Sequence, residues 1–305
     1  MSLTAEEYRE HLATTAVRAG FSFPDNKLVL PASHQVQVGR MRLHYLDWGT
    51  EGRPPILFLH GGALTAHTWD LVCLALRDDY HCLALDQRGH GDSDWAHDED
   101  YSIGAQLEDT TGFVDRLGLD KFILVGMSLG AINALAFAIA HPERLSHLVI
   151  IDAGPEMRRP GSSRIRDFVN EVQETVTVEA IIEKALKFNP RRDPNILRRS
   201  LMHNLRQQAD GTWRWKYDTR RFKSMGQNSH REDRARLADG LTRIQCPTLV
   251  VRGGESDVFH DEDAERLVAR LPDARWVKVP NAGHTVQGDN PKDLVAELRR
   301  FLGSN

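Results

Sequence analysis

No apolar run in the 305-residue sequence approaches the roughly 18 residues needed to cross a bilayer, so a membrane-spanning protein is not expected. The first twenty residues, MSLTAEEYREHLATTAVRAG, carry acids early and have no apolar centre, so no signal peptide is expected either. Cysteine is scarce. Cys73, Cys82 and Cys246 are odd in number and lack metal-type spacing, which argues against a disulfide framework and for small buried hydrophobes in a reducing compartment. A cytoplasmic location is the expectation. Positive charge is not in excess: 39 Lys and Arg against 43 Asp and Glu leave a net −4, which removes the electrostatic case for a nucleic-acid or membrane-surface partner. Low-complexity tracts and internal repeats are also missing.

What is present is an alternation of short β-type runs with helical patterns, the pattern of a mostly parallel sheet covered by helices. Residues 34–39 and 41–49 alternate polar and apolar around a glycine, as an antiparallel hairpin does. The run PILFLHGG (55–62) is continuously apolar, as expected of a strand buried on both faces. Further strands are expected at 81–86, 121–126, 145–152, 247–254 and 274–280, eight in all, with helices near 67–77, 102–117, 129–141, 261–271 and 290–302. The organisation expected is a helical extension over 1–33, an α/β core from 34–154 and 241–305, and a helical cap over 155–240. That last segment differs in composition: over 156–240 it holds 19 basic and 12 acidic residues, +7, leaving −11 for the rest. A long insertion of this kind between two core strands fits a lid over the sheet's active edge.

At the junction of an expected strand and helix stands Gly126-Met127-Ser128-Leu129-Gly130. A G-x-S-x-G match arises by chance in about one chain in twelve of this composition, so its setting matters more than the match. The turn follows a β run and opens a helix, which forces the serine into a strained, exposed position, and the glycines remove side chains that would collide with strand and helix. A serine hydroxyl needs a base and a held oxyanion to act as a nucleophile. Among 14 histidines, His284 in VPNAGHTVQGDNP is placed for this, just after the last expected strand and before the last helix. For the carboxylate that orients it, Asp257 in VRGGESDVF is preferred, with Asp152 at the end of LVIID the alternative and Glu255 a solvated loop acid. The oxyanion donors expected are the N–H groups of Leu129 and of Gly62 in His60-Gly61-Gly62.

Taken together, FLHGG, LDQRGHGDSD, GMSLG, VRGGESDVF and NAGH resemble the motifs of the α/β-hydrolase fold superfamily, in its order Ser…acid…His, over about 34–303. The resemblance implies an α/β-hydrolase fold with a helical cap. It also implies that Asp86, Arg88, Gly89, His90, Gly91 and Ser93 brace the loop beneath the active site, His90 being scaffold rather than catalyst. It further implies acyl transfer through Ser128, His284 and Asp257, with no metal or organic cofactor and a small-molecule ester or lactone as substrate. A C–C bond hydrolase of the meta-cleavage-product type is the runner-up, and a non-catalytic ligand-binding paralogue the third reading. Ala63, Met127 and Val258 are expected beside the reacting groups. Trp213, Trp215 and Tyr217, alternating with Arg and Lys, either line the pocket or only anchor the cap. The basic cap either selects an anionic substrate or is a solvated helix surface. For the N-terminal extension, packing or contact with a partner is expected, a homodimer among the candidates.

Overall fold

The computed structural model describes residues 4–156, 177–188, 194–220 and 227–303. Eight of its strands form one sheet: β1 Ala32–Val38, β2 Met41–Asp47, β3 Pro55–Leu59, β4 His81–Leu85, β5 Phe122–Met127, β6 Leu145–Ile151, β9 Thr248–Gly253 and β10 Ala274–Val279, in the order β1-β2-β4-β3-β5-β6-β9-β10. β1–β2 and β2–β4 pair antiparallel and every other pair is parallel. The apolar runs follow from burial on both faces. Ile56 and Phe58 of β3, with Ile123 and Val125 of β5, enter the core beneath α1 Ala5–Arg18, α2 Asp70–Leu76 and α9 Pro291–Leu302. Leu57, Leu59 and Leu124 point the other way, toward α3 Ile103–Arg116, α4 Leu129–Ala140 and α8 Asp261–Arg270. From β3 the chain first moves to β4 on one side and then returns to β5 on the other. This reversal opens a crevice at the carboxyl ends of β3 and β5, the usual place for a ligand in an open parallel sheet.

Between β6 and β9 lies the insert. Its described elements are α5 Val178–Phe188, α6 Pro194–Asn204, a hairpin of β7 Leu205–Gln207 and β8 Trp213–Trp215, and α7 Gln227–Gly240. Val178, Ile181, Ala185, Leu197, Leu201 and Leu205 give it a small core of its own. Polar contacts fasten it to the loop after β4: Asp218 N–H donates to Gly89 O (2.7 Å), Tyr101 Oη to Asp218 Oδ2 (2.5 Å), and Arg206 and Lys216 both bond Asp92 (3.0 and 2.8 Å). The helix at the amino end is closed by a reciprocal Thr4–Glu7 capping box and lays Leu12 and Ala16 on the main core. Cys73, Cys82 and Cys246 are buried free thiols. Among the described residues no helix is long and apolar enough to cross a membrane.

Candidate active site

Ser128 occupies the single residue between β5 and α4, with φ 53° and ψ −110°, a left-handed conformation that costs a non-glycine residue about 1–3 kcal/mol. The flanking glycines make this turn possible. A Cβ on Gly126 would lie 2.2 Å from Gly130 O, and one on Gly130 2.2 Å from Leu59 O, so no larger residue lets helix and strands approach this closely. The alanines of α4 serve the same end, for Ala131, Ala134 and Ala138 are buried against the sheet. Ser128 N–H donates to Ile151 O (3.1 Å), which ties the turn to the end of the neighbouring strand.

His284, in the loop after β10, places Nε2 3.0 Å from Ser128 Oγ and Nδ1 2.8 Å from Asp152 Oδ2. The carboxylate facing the imidazole is therefore Asp152, and the preference for Asp257 is corrected. Asp152 follows the last residue of β6 with φ 52°, is fully buried, and receives Gly253 N–H on Oδ1 (2.8 Å) and Ser256 Oγ–H on Oδ2 (2.5 Å). The loop after β9 does reach the site, but it turns Ser256 inward and Asp257 outward. Contributing a hydroxyl, it supports a carboxylate that comes from one strand earlier. Gly253 is part of the same device: a Cβ there would stand 2.1 Å from Gly283 O, so its absence lets the histidine loop settle over β9. Sequence reasoning missed Ser256 entirely. One signal for Asp152 was available, since a lone carboxylate ending the apolar run LVII is buried and must find donors.

Beside Ser128 runs the loop after β3. A Cβ on Gly61 would meet Met127 Sδ at 2.6 Å and Ser128 Cβ at 3.3 Å, so a larger residue there would push the Met127 side chain and crowd the elbow. Gly62 and Ala63 (φ 61°) form a turn closed by Leu64 N–H to Gly61 O (3.2 Å). Leu129 opens α4, where the first amides have no acceptor one turn back. The loop is held from below. Gln87 N–H donates to His60 Nε2 (3.0 Å), so the His60 proton sits on Nδ1 and is donated to Gly61 O (2.8 Å). Gln87 Nε2 donates to His60 O (2.6 Å), and Asn133 of α4 donates to Gln87 Oε1 (2.6 Å), linking loop, elbow helix and the segment after β4.

That segment is a brace, as its motif implied. Asp86 accepts Ala66 N–H (2.6 Å), Asp92 N–H (3.0 Å) and His44 Nδ1–H (2.7 Å), and Ser93 Oγ donates to Asp86 O (2.5 Å). Burial pushes the Asp86 carboxyl up, but the hydrogen bonds from His44 and from Asp92 N–H, with the electrostatic pull of the His44 ring, outweigh it and hold the group well below the usual carboxylate range. Arg88 forks onto both oxygens of Asp109 (2.5 and 2.8 Å). His90 Nδ1 is bonded to Arg88 O (3.0 Å) and its ring packs edge-on to His60.

The remaining candidates lie around this centre unevenly. Met127 and Val258 are buried, the first in the core and the second with its N–H on Ser256 Oγ (3.2 Å). Trp213 and Trp215 pack on the insert's own apolar cluster, and Tyr217 is buried beside His90 and Trp215. All three aromatics thus have an anchoring contact. Several basic groups of the insert are also engaged: Arg206 and Lys216 on Asp92, Arg220 on Asp218 and Glu99, Arg198 on Glu179. Residues 157–176, 189–193 and 221–226, which carry other arginines of the segment, lie outside the described residues.

Comparison with known proteins agrees with this fold. Residues 54–291 match the family described as alpha/beta hydrolase fold. Esterase Rv0045c of Mycobacterium tuberculosis (strain ATCC 25618 / H37Rv) is 33% identical over 298 residues, 95% of this chain and 94% of that protein. A solved structure concerned with transition metal inhibition and structural refinement of the M. tuberculosis esterase Rv0045c superposes with a TM-score of 0.78 at 32% identity, covering 98% of this chain and all of that one. Haloalkane dehalogenase 2 of Mycobacterium bovis is 28% identical over 290 residues, 92% of this chain and 98% of that protein.

Proposed function

The chain belongs to the alpha/beta hydrolase fold family, and on that premise we propose that it is a serine hydrolase cleaving a carboxylic ester or lactone of a small, partly apolar substrate. The observation that carries the reading is the continuous hydrogen-bond line from Ser128 Oγ through His284 to Asp152. In this reading His284 Nε2 takes the Ser128 proton as Oγ bonds to the substrate carbonyl carbon. The imidazolium is stabilised by Asp152, which keeps Nδ1 protonated and Nε2 free to accept. Leu129 and Gly62 N–H groups hold the oxyanion of the tetrahedral intermediate. Collapse breaks the carbon–oxygen bond, and His284 returns the proton to the leaving alkoxide. Water then attacks the acyl-enzyme by the same proton path, releasing acid and regenerating Ser128.

A serine at the elbow separates this chain from relatives that attack carbon through a carboxylate, haloalkane dehalogenases and epoxide hydrolases among them. The likeness to an esterase over nearly the whole of both chains supports ester cleavage over the other chemistries of the fold. The insert is read as the cap that covers the crevice. The test is labelling with a fluorophosphonate together with turnover of a p-nitrophenyl ester series. The reading expects one adduct on Ser128, burst kinetics with short acyl chains, and neither in Ser128→Ala. An unlabelled wild-type chain, or full turnover by Ser128→Ala, overturns it.

A further inference from the structure

Away from the triad, three chain-distant elements bring polar side chains together at the edge of the glycine loop. Tyr8 comes from α1, His67 from the turn leading into α2, Asp70 from the first residue of α2, and His203 from the last turn of α6 in the insert. One ligand atom each from His67, Asp70 and His203 lie within 4.8 Å of one another. The His67 and His203 rings are stacked 3.7 Å apart. Tyr8 Oη donates to Asp70 Oδ2 (2.7 Å) and stands 3.1 Å from His67 Nδ1. Those bonds account for part of the cluster only. Asp70 is 7% exposed, yet its Oδ1 has no hydrogen-bond partner in the protein, and His203 Nε2 is equally closed to solvent and unpartnered. Leaving a polar atom buried without a partner costs about 1–3 kcal/mol.

We propose that His67, Asp70 and His203 bind a divalent transition-metal ion, with Zn2+ as the best match. Two imidazoles and one carboxylate form a borderline donor set that suits zinc, whereas calcium and magnesium favour oxygen ligands alone. Tetrahedral bonds of about 2.0–2.2 Å put neighbouring donor atoms about 3.3 Å apart, so binding requires the three side chains to rotate inward from their present positions within 4.8 Å. The ion takes up the two orphaned atoms, and water completes the tetrahedron. Tyr8 orients the Asp70 carboxylate from outside the coordination sphere. A cluster that is only a hydrogen-bonded junction explains Tyr8, His67 Nδ1 and Asp70 Oδ2 but gives no purpose to the other two atoms. The ion would fasten the insert to the loop after β3, where Thr65 Oγ1 already donates to Asn204 Oδ1 (3.1 Å). No atom of the triad takes part, so the inference is independent of the ester-hydrolase reading.

The test is calorimetric titration of chelator-stripped full-length protein with ZnCl2, paired with its melting temperature. We expect one ion per chain and a higher Tm. His67→Gln and His203→Gln, checked for native circular dichroism, should each weaken Kd roughly tenfold or more, while His284→Gln leaves it unchanged. Substoichiometric binding, a Kd unaltered in both cluster variants, or binding lost only in His284→Gln overturns the proposal. The last result would place the ion on the triad imidazole. If either cluster variant fails to fold, Asp70→Asn takes its place under the same criterion.

Discussion

The hydroxyl of Ser256 lies 2.5 Å from Asp152 Oδ2, the same carboxylate oxygen that faces His284 Nδ1 at 2.8 Å. Two neighbouring strands therefore meet at one carboxylate: the end of β6 supplies it, and the loop after β9 supplies a hydroxyl that donates to it. A hydrogen bond to an ionised acceptor is worth about 1.5–3 kcal/mol, and here part of that holds the carboxylate in line with the imidazole. Ser256→Ala is expected to lower kcat/KM on a p-nitrophenyl ester roughly tenfold, mostly through kcat, with Ser256→Thr recovering part of the loss. Unchanged kinetics in Ser256→Ala would show that Gly253 N–H alone positions Asp152.

Separate replacement of the two candidate acids distinguishes them sharply. Asp152→Asn removes the charge that stabilises the imidazolium and leaves the tautomer of His284 unconstrained, so kcat should fall by about four orders of magnitude, as in triads generally. Asp257, which faces outward, should tolerate asparagine with less than about a twofold change. Steady-state rates on one ester settle both, and a large loss in Asp257→Asn would refute the assignment.

The elbow glycines should matter for stability before they matter for rate. A methyl group on Gly130 meets Leu59 O at 2.2 Å, backbone against backbone, and neither strand nor helix can yield without disturbing the sheet. Gly130→Ala is expected to cost about 1–3 kcal/mol or more in urea unfolding. Gly104 in α3, where an added Cβ meets only Ser102 Oγ at 3.8 Å, provides the helical control without the clash.

Asp86 links stability to pH. Its carboxyl is held below its unfolded value by hydrogen bonds from His44 and Asp92 N–H, so the stabilisation is present above the unfolded value, near 3.9, and is lost as pH falls toward the folded one. Wild-type protein should therefore lose stability on acidification below about pH 5. Asp86→Asn should be less stable at pH 7 by about 1–3 kcal/mol, the cost of leaving the buried donors of His44, Ala66 and Asp92 without a carboxylate acceptor, and should show a shallower acid limb. Urea midpoints measured from pH 7 down to pH 3 on both proteins test the sign; parallel acid limbs would contradict it.

Much of this architecture is already present in local chemistry. Continuous apolar runs such as ILFL and FILV mark strands buried on both faces, and their periodicity needs no distant partner to be recognised. The same holds for Ser128: glycines two residues to either side, between a β run and an alanine-rich helix, already require a tight turn with an exposed hydroxyl. His284 is equally local, set by the loop between the last strand and the last helix.

The acid was not local. Asp152 and Asp257 both follow core strands that end at one edge of the sheet, and chain spacing to His284 cannot say which carboxylate turns inward. That depends on the order β5-β6-β9, on the positive φ at Asp152, and on the close approach of Gly253 to Gly283, none of which is written in any single segment. The cluster of Tyr8, His67, Asp70 and His203 is the extreme case, since its members are separated by up to 195 positions and meet only when the insert docks. Sequence alone determined the elements and singled out Ser128 and His284, because those follow from neighbours along the chain. Tertiary structure decided which carboxylate faces His284, which hydroxyl supports it and the contacts of the insert, because these depend on which buried polar groups find partners once the sheet is assembled.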